Sequence, residues 1–185
     1  MVDAGRDPDD VKLVMFVTFS LGTTVCEALD RRRALDARVD EAPRMAELAA
    51  LLGMPLHPDR LEDPVDASTL GVDSSTRDPR ALEATRLARD GWSPRDLLAH
   101  GVLDHTPGLA GTATDAADFL EQYLDAGAAD GFILSLDDHT DGIAAFTETV
   151  IPLLRARGRL RDSDATLRER LGVPPQYGLR STSRP

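Results

Sequence analysis

Apolar and polar positions along this chain follow two different periods, and the changes between them mark out its elements. Residues 11–21 (VKLVMFVTFSL) form a nearly continuous apolar run, β-branched and aromatic, closed by Gly22. Such a run predicts a strand buried on both faces, as in a parallel sheet. The pattern then turns helical: Thr23 or Thr24 caps a helix to about residue 37 with Val25, Leu29 and Leu35 as apolar points. Pro43 sits in the first turn of a second helix, whose Met45, Leu48, Ala49 and Leu52 form one stripe ending at Gly53. Periodicity then stops. Over residues 54–77, Pro55, Pro58 and Pro64 remove backbone donors, and Asp, Ser and Gly supply turns, which predicts an irregular excursion.

Regular patterning returns at Asp78-Pro79 and again at Ser93-Pro94, two N-cap and first-turn pairs that open helices over 80–90 and up to 99. Residues 101–111 read as a loop. Thr112 with Asp115 makes a capping box for a helix carrying Ala116, Phe119, Leu120, Tyr123 and Leu124 and ended by Gly127. Residues 130–136 (DGFILSL) are a second strand and 137–141 a polar loop; a helix from 142, expected to kink at Pro152, stops near Gly158. A short helix is expected over 164–171. The stretch 111–158 is thus helix, strand, helix, and the whole reads as α/β: about two parallel strands with several helices. Residues 1–173 form one unit, and 174–185 (PPQYGLRSTSRP) read as a disordered tail.

Composition narrows the class. Hydrophobic residues make up 42% of the chain but aromatics only 4%, so the core rests on Leu, Val, Ile and Ala. A net charge of −11 disfavours nucleic acid, whose phosphates need clustered cations. No basic, apolar leader opens the chain and no run approaches a membrane span, so a cytoplasmic protein with no membrane partner is expected. Cys26 stands alone, without a disulfide partner or a CxxC clip, and reads as a small buried hydrophobe.

Candidate chemistry is sparse. The loop LDDHTD gathers Asp137, Asp138, His139 and Asp141 where a strand releases its chain, a constellation able to bind a divalent metal or shuttle a proton. The competing reading makes these residues the solvated cap of the next helix, and no metal site is assigned. His57, His100 and His105 match no shared helical face and read as surface. GxGxxG, Walker, GxSxG and HExxH sequences are absent.

The stretch GTATDAADFLEQYLDAGAADGFILSL, with VIPLLRARG and TLRERLG after it and GRDPDDVKLVMFVTF and PRMAELAALLGMPL before it, resembles the bacterial luciferase-like FMN-dependent monooxygenases. It is most similar to the branch of nitrilotriacetate monooxygenase, dibenzothiophene-sulfone monooxygenase and pristinamycin synthase. The resemblance covers the C-terminal part of that family only. It implies the C-terminal portion of a TIM (β/α)8 barrel, a fold that takes about 250 residues when complete. It also implies oxidation of a small organic substrate by reduced FMN and dioxygen, the flavin being supplied by an NAD(P)H:flavin reductase. Ser20, Ser135, Asp137 and His139 would lie around the barrel mouth; the family's catalytic and main flavin-phosphate positions lie on earlier strands, so the catalytic residues here are unknown. Open strand edges would leave such a piece inactive by itself and dependent on the missing N-terminal barrel piece or on a homo-oligomer. The alternative is a non-catalytic acidic interaction module derived from such a barrel.

Overall fold

The structure, a computed structural model, describes residues 11–72, 75–160 and 166–170. The turn-rich start before residue 11 and the tail at 174–185 lie outside the described residues. Three parallel strands form one sheet: β1 (Val14–Leu21), β2 (Gly108–Gly111) and β3 (Gly131–Leu136), in spatial order β2-β1-β3. β2 is a strand within the stretch that sequence patterning assigns to a loop. Its GLAG sequence has no alternation, and pairing of Thr18 through Leu21 with Gly108 through Gly111 makes it a strand.

The order is out of sequence, and this has a topological consequence. From β1 the chain crosses to β2 through α1 (Val25–Asp36), α2 (Glu41–Leu52), α3 (Pro79–Arg89) and α4 (Pro94–Ala99). From β2 it crosses back over β1 to β3 through α5 (Ala113–Asp125). Right-handed crossovers in opposite directions place their helices on opposite faces of the sheet. Met15, Val17, Phe19 and Leu21 of β1, with Leu109, Phe132 and Leu136, pack against α5 and the last long helix through Ala116, Ala117, Leu120, Phe146, Val150 and Leu154. The opposite face carries Ala110, which packs on Ala28 and Leu29 of α1 and Ala99 of α4. An uninterrupted stretch of (β/α)8 wall would set consecutive strands side by side with helices on one face alone.

The first strand is therefore not buried on both faces throughout. Val14 and Phe16, on the α1 side but beyond its reach, are 47% and 45% exposed, whereas Val17 and Phe19 on the other side are fully buried. Cys26 is also exposed, because the first turn of α1 faces outward there, so the expected burial fails.

Local sequence explains the helix ends. Thr24 caps α1, Asp78 caps α3, and Ser93–Asp96 and Thr112–Asp115 form complete capping boxes on α4 and α5. The last long helix runs as α6 (Asp141–Ala145), a five-residue π segment Phe146–Val150, and α7 (Ile151–Ala156). Pro152 explains that widening: its ring collides with a carbonyl one turn earlier and it offers no N–H, and a π turn accommodates both. α8 (Leu167–Arg170) stands where the short C-terminal helix is expected.

A second core, separate from the sheet, joins α2, α3 and α4 through Leu48, Leu52, Ala84, Leu87, Leu97 and Leu98. Between α2 and α3 the regular pieces are two 3-10 turns, Pro58–Arg60 and Ala67–Thr69. Val65 of this segment joins the same core, and the Gly71 N–H donates to the Leu52 carbonyl at 3.1 Å. Gly53 has φ +65° at the end of α2, and a Cβ there would stand 2.5 Å from the Gly71 carbonyl carbon. Gly53→Ala is expected to cost about 1–2 kcal/mol, left-handed strain plus a backbone collision. Urea unfolding followed by circular dichroism measures it, and a loss near zero would mean the excursion does not press on α2.

Candidate functional site at the carboxyl ends of the strands

Parallel strands release their chains at one edge of the sheet, and in α/β folds that edge hosts the ligand site. Here it is formed by Gly22–Thr24 after β1, Thr112 after β2 and Asp137–Thr140 after β3. Small-ligand pockets run from about 300 to 1,000 Å³; the one at this edge is 360 Å³ and is lined by Leu21, Gly22, Thr23, Glu27, Arg31, Thr112 and residues that follow on α5 and the last long helix. Gly22 is required by close approach, since a Cβ would stand 2.6 Å from the Ala28 nitrogen. Glu27 turns back on the strand end, accepting from the Thr23 N–H at 2.8 Å and from its hydroxyl. The hydroxyl bond, then the backbone bond, hold its carboxyl below the usual carboxylate range.

The structure brings three of the four expected mouth residues to one face of the sheet. Thr18 is in register with Ser135, and continuing that register sets Ser20 beside Asp137. Ser20 is 2% exposed, and its Oγ has no hydrogen-bond partner. Asp137 accepts from Arg31 Nε at 3.3 Å and from Nη2 at 3.1 Å, with its own side chain 2% exposed. That bond raises the Arg31 pKa above its ordinary value. His139 lies apart, exposed on the loop. None of the four lines the cavity itself.

The rest of LDDHTD is structural. Asp138 Oδ1 accepts from the Asp141 and Thr140 N–H groups, both at 2.7 Å, and these two bonds hold its pKa down. The loop thus caps α6, as the solvated-cap reading expects, and among the described residues no group of three His, Cys, Asp or Glu side chains is placed to hold a metal. Thr23, Glu27, Arg31 and Thr112 line the cavity but carry no motif; only their positions just after predicted strand ends could have marked them. Elsewhere, His100 is not the surface residue expected: its ring packs on Trp92 at 4.9 Å, and burial pushes its pKa down. It lines a larger cavity, 690 Å³, which opens beside the start of β2, away from this edge.

The chain is 31% identical over 92% of its length to dibenzothiophene-sulfone monooxygenase of Rhodococcus erythropolis. Its relatives are luciferase-like FMN-dependent monooxygenases, and it matches only a part of each. The chain spans 39% of the length of the Rhodococcus erythropolis enzyme. In structure it resembles the EDTA monooxygenase of Chelativorans sp. BNC1, with 26% identity and a TM-score of 0.62, covering 94% of the chain and 41% of that protein. A riboflavin lyase solved with modified FMN and riboflavin is 30% identical, with a TM-score of 0.54 over 93% of the chain and 38% of the lyase. No family model matches the chain. The architecture is α/β, and its solved relatives are (β/α)8-barrel enzymes.

FMN carries a phosphate dianion that calls for free donors or cations. Arg31 is the one cation among the described residues lining the cavity, and Asp137 already occupies its guanidinium. Glu27 adds a carboxylate to the same wall. The described residues of the chain therefore do not fit a complete flavin. Among them, no helix is long and apolar enough to cross a membrane.

Proposed function

We propose that residues 1–173 are the C-terminal unit of a flavin-dependent monooxygenase that uses reduced FMN and dioxygen to oxidise a small organic substrate, and that the chain is inactive alone. The observation that carries this reading is the 31% identity to dibenzothiophene-sulfone monooxygenase, held over 92% of the chain but 39% of that enzyme. The groups that grip the phosphate and act on oxygen come from a complementary N-terminal barrel piece, and an NAD(P)H:flavin reductase in the cytoplasm supplies the reduced flavin. In the assembled protein Ser20, Ser135, Asp137 and His139 stand at the mouth, where Asp137 positions Arg31 and through it the first turns of α1.

A second reading, a non-catalytic acidic interaction module derived from such a barrel, draws support from the β2-β1-β3 order and the helices on both faces. Flavin titration separates the two. The chain alone is expected to leave FMN fluorescence unchanged; with the N-terminal segment of dibenzothiophene-sulfone monooxygenase supplied, FMN binding is expected to appear. Binding that never appears with that segment present would sink the enzyme reading in favour of the module.

A further inference from the structure

The cavity of 690 Å³ lies beside the start of β2, walled by α3, the loop after α4 and α5, at the end of the sheet opposite the strand ends that form the mouth. We propose that it is a binding site for an uncharged aromatic small molecule, separate from the flavin chemistry of the mouth.

Its walls carry the rings such a ligand needs. Phe119 and Tyr123, one turn apart on α5, hold their ring centroids 5.0 Å apart at a tilt of 47°. His100 lines the same space with its ring edge-on to Trp92 at 4.9 Å, and Pro79 and Pro107 add apolar surface. Rings so placed take a further aromatic ring in offset or edge contact. The volume falls within the range of about 300–1,000 Å³ that small-ligand pockets occupy.

The charged groups of the lining are already paired within the chain. Arg80 donates to Glu47 at 3.0 Å and to Asp78 at 3.1 Å. Arg32 donates to both oxygens of Asp104, at 2.8 and 2.9 Å, and Glu83 accepts from Arg86 at 2.9 and 2.6 Å. Burial pushes the His100 pKa below the ordinary imidazole value, which leaves the ring neutral at pH 7. A charged ligand would lose hydration here without gaining a free counter-ion, whereas an uncharged ring gives up only water against apolar surface.

A further strand is a poor occupant. It would pair along Gly108–Gly111, the residues of β2, and of these Gly108 alone lines the cavity. Below it Pro107 has no N–H to donate, and its carbonyl already accepts from the Thr18 N–H at 3.0 Å. An added strand therefore finds no ladder partner where the cavity lies, and a small molecule needs none.

N-phenyl-1-naphthylamine, an uncharged aromatic amine whose fluorescence rises in apolar surroundings, tests this on the full chain. Saturable one-to-one binding is expected, with quenching of Trp92, the one tryptophan of the chain, which lies one ring behind the cavity wall. The sulfonated analogue 8-anilinonaphthalene-1-sulfonate has the same rings and a negative charge, and is expected to bind about tenfold more weakly or worse. Tyr123→Ala is expected to weaken the uncharged probe by about tenfold with unchanged circular dichroism, whereas Leu82→Ala, at an exposed site on α3, leaves it unchanged. If Tyr123→Ala unfolds, nuclear Overhauser contacts on the unaltered chain decide: contacts between the probe and the Tyr123 ring support the site, and their absence refutes it. No saturable binding, equal binding of the sulfonate, indifference to Tyr123→Ala, or displacement of the probe by the N-terminal segment of dibenzothiophene-sulfone monooxygenase each overturns the proposal. None of these outcomes depends on FMN binding at the mouth, whose test is the titration.

Discussion

Phe19→Ala is expected to be the most damaging single change in this chain, costing about 3–5 kcal/mol. Phe19 is fully buried near the carboxyl end of the middle strand. Its ring stacks on Phe146 at 5.9 Å and meets Phe119 edge-on at 5.7 Å, so one side chain ties β1 to both α5 and the last long helix. Truncation opens a cavity between three elements, none of which can collapse without dragging the sheet. Few aromatics are available to compensate, at 4% of the chain. A domain of this size has about 5–15 kcal/mol in total, so the variant is expected to lose its cooperative urea transition or shift it strongly. An unchanged midpoint would mean that α5 and the last helix do not share this core.

Arg31→Ala is expected to cost about 2–3 kcal/mol, more than Asp137→Ala. The asymmetry comes from burial: Asp137 is 2% exposed while the Arg31 side chain is 30% exposed. Removing the arginine leaves a carboxylate shut away from water, whereas removing the aspartate leaves a guanidinium that solvent can reach; either change strips the contact that joins α1 to the end of β3. Solvent screening at Arg31 keeps the figure below that for a fully buried pair. Arg31→Ala should therefore be rescued in part by Asp137→Asn, which removes the stranded charge and keeps the shape. A double-mutant cycle read by urea unfolding measures this, and additive effects would show that the two side chains act independently.

Much of the fold was legible because its signals are local. The Ser93-Pro94 and Thr112–Asp115 devices place α4 and α5 to the residue or nearly so, and Gly53 ends α2 where the apolar stripe ends. β2 was not legible: four residues of Gly, Leu and Ala carry no period, and only pairing with β1 defines them. The exposure of Val14 and Phe16 was hidden for a similar reason, since an apolar run reports the preference of the residues and not how far α1 extends over them. At the site, the polar loop drew attention through its carboxylates, yet Asp138 caps a helix and Asp137 holds Arg31. The cavity is lined instead by Thr23, Glu27 and Thr112, residues whose importance depends on which strand ends lie side by side.

The sheet order also sets a timetable. Leu13 and Asp130 are 117 residues apart, and the Leu13 N–H bonds the Asp130 carboxylate at 2.8 Å where β1 and β3 begin to pair. During synthesis the central strand is therefore made first and completed last. It emerges before both of its partners, gains β2 only after four helices have followed, and receives β3 after a fifth. Contacts so distant in sequence fold slowly, and the waiting strand is the most aggregation-exposed segment of the nascent chain.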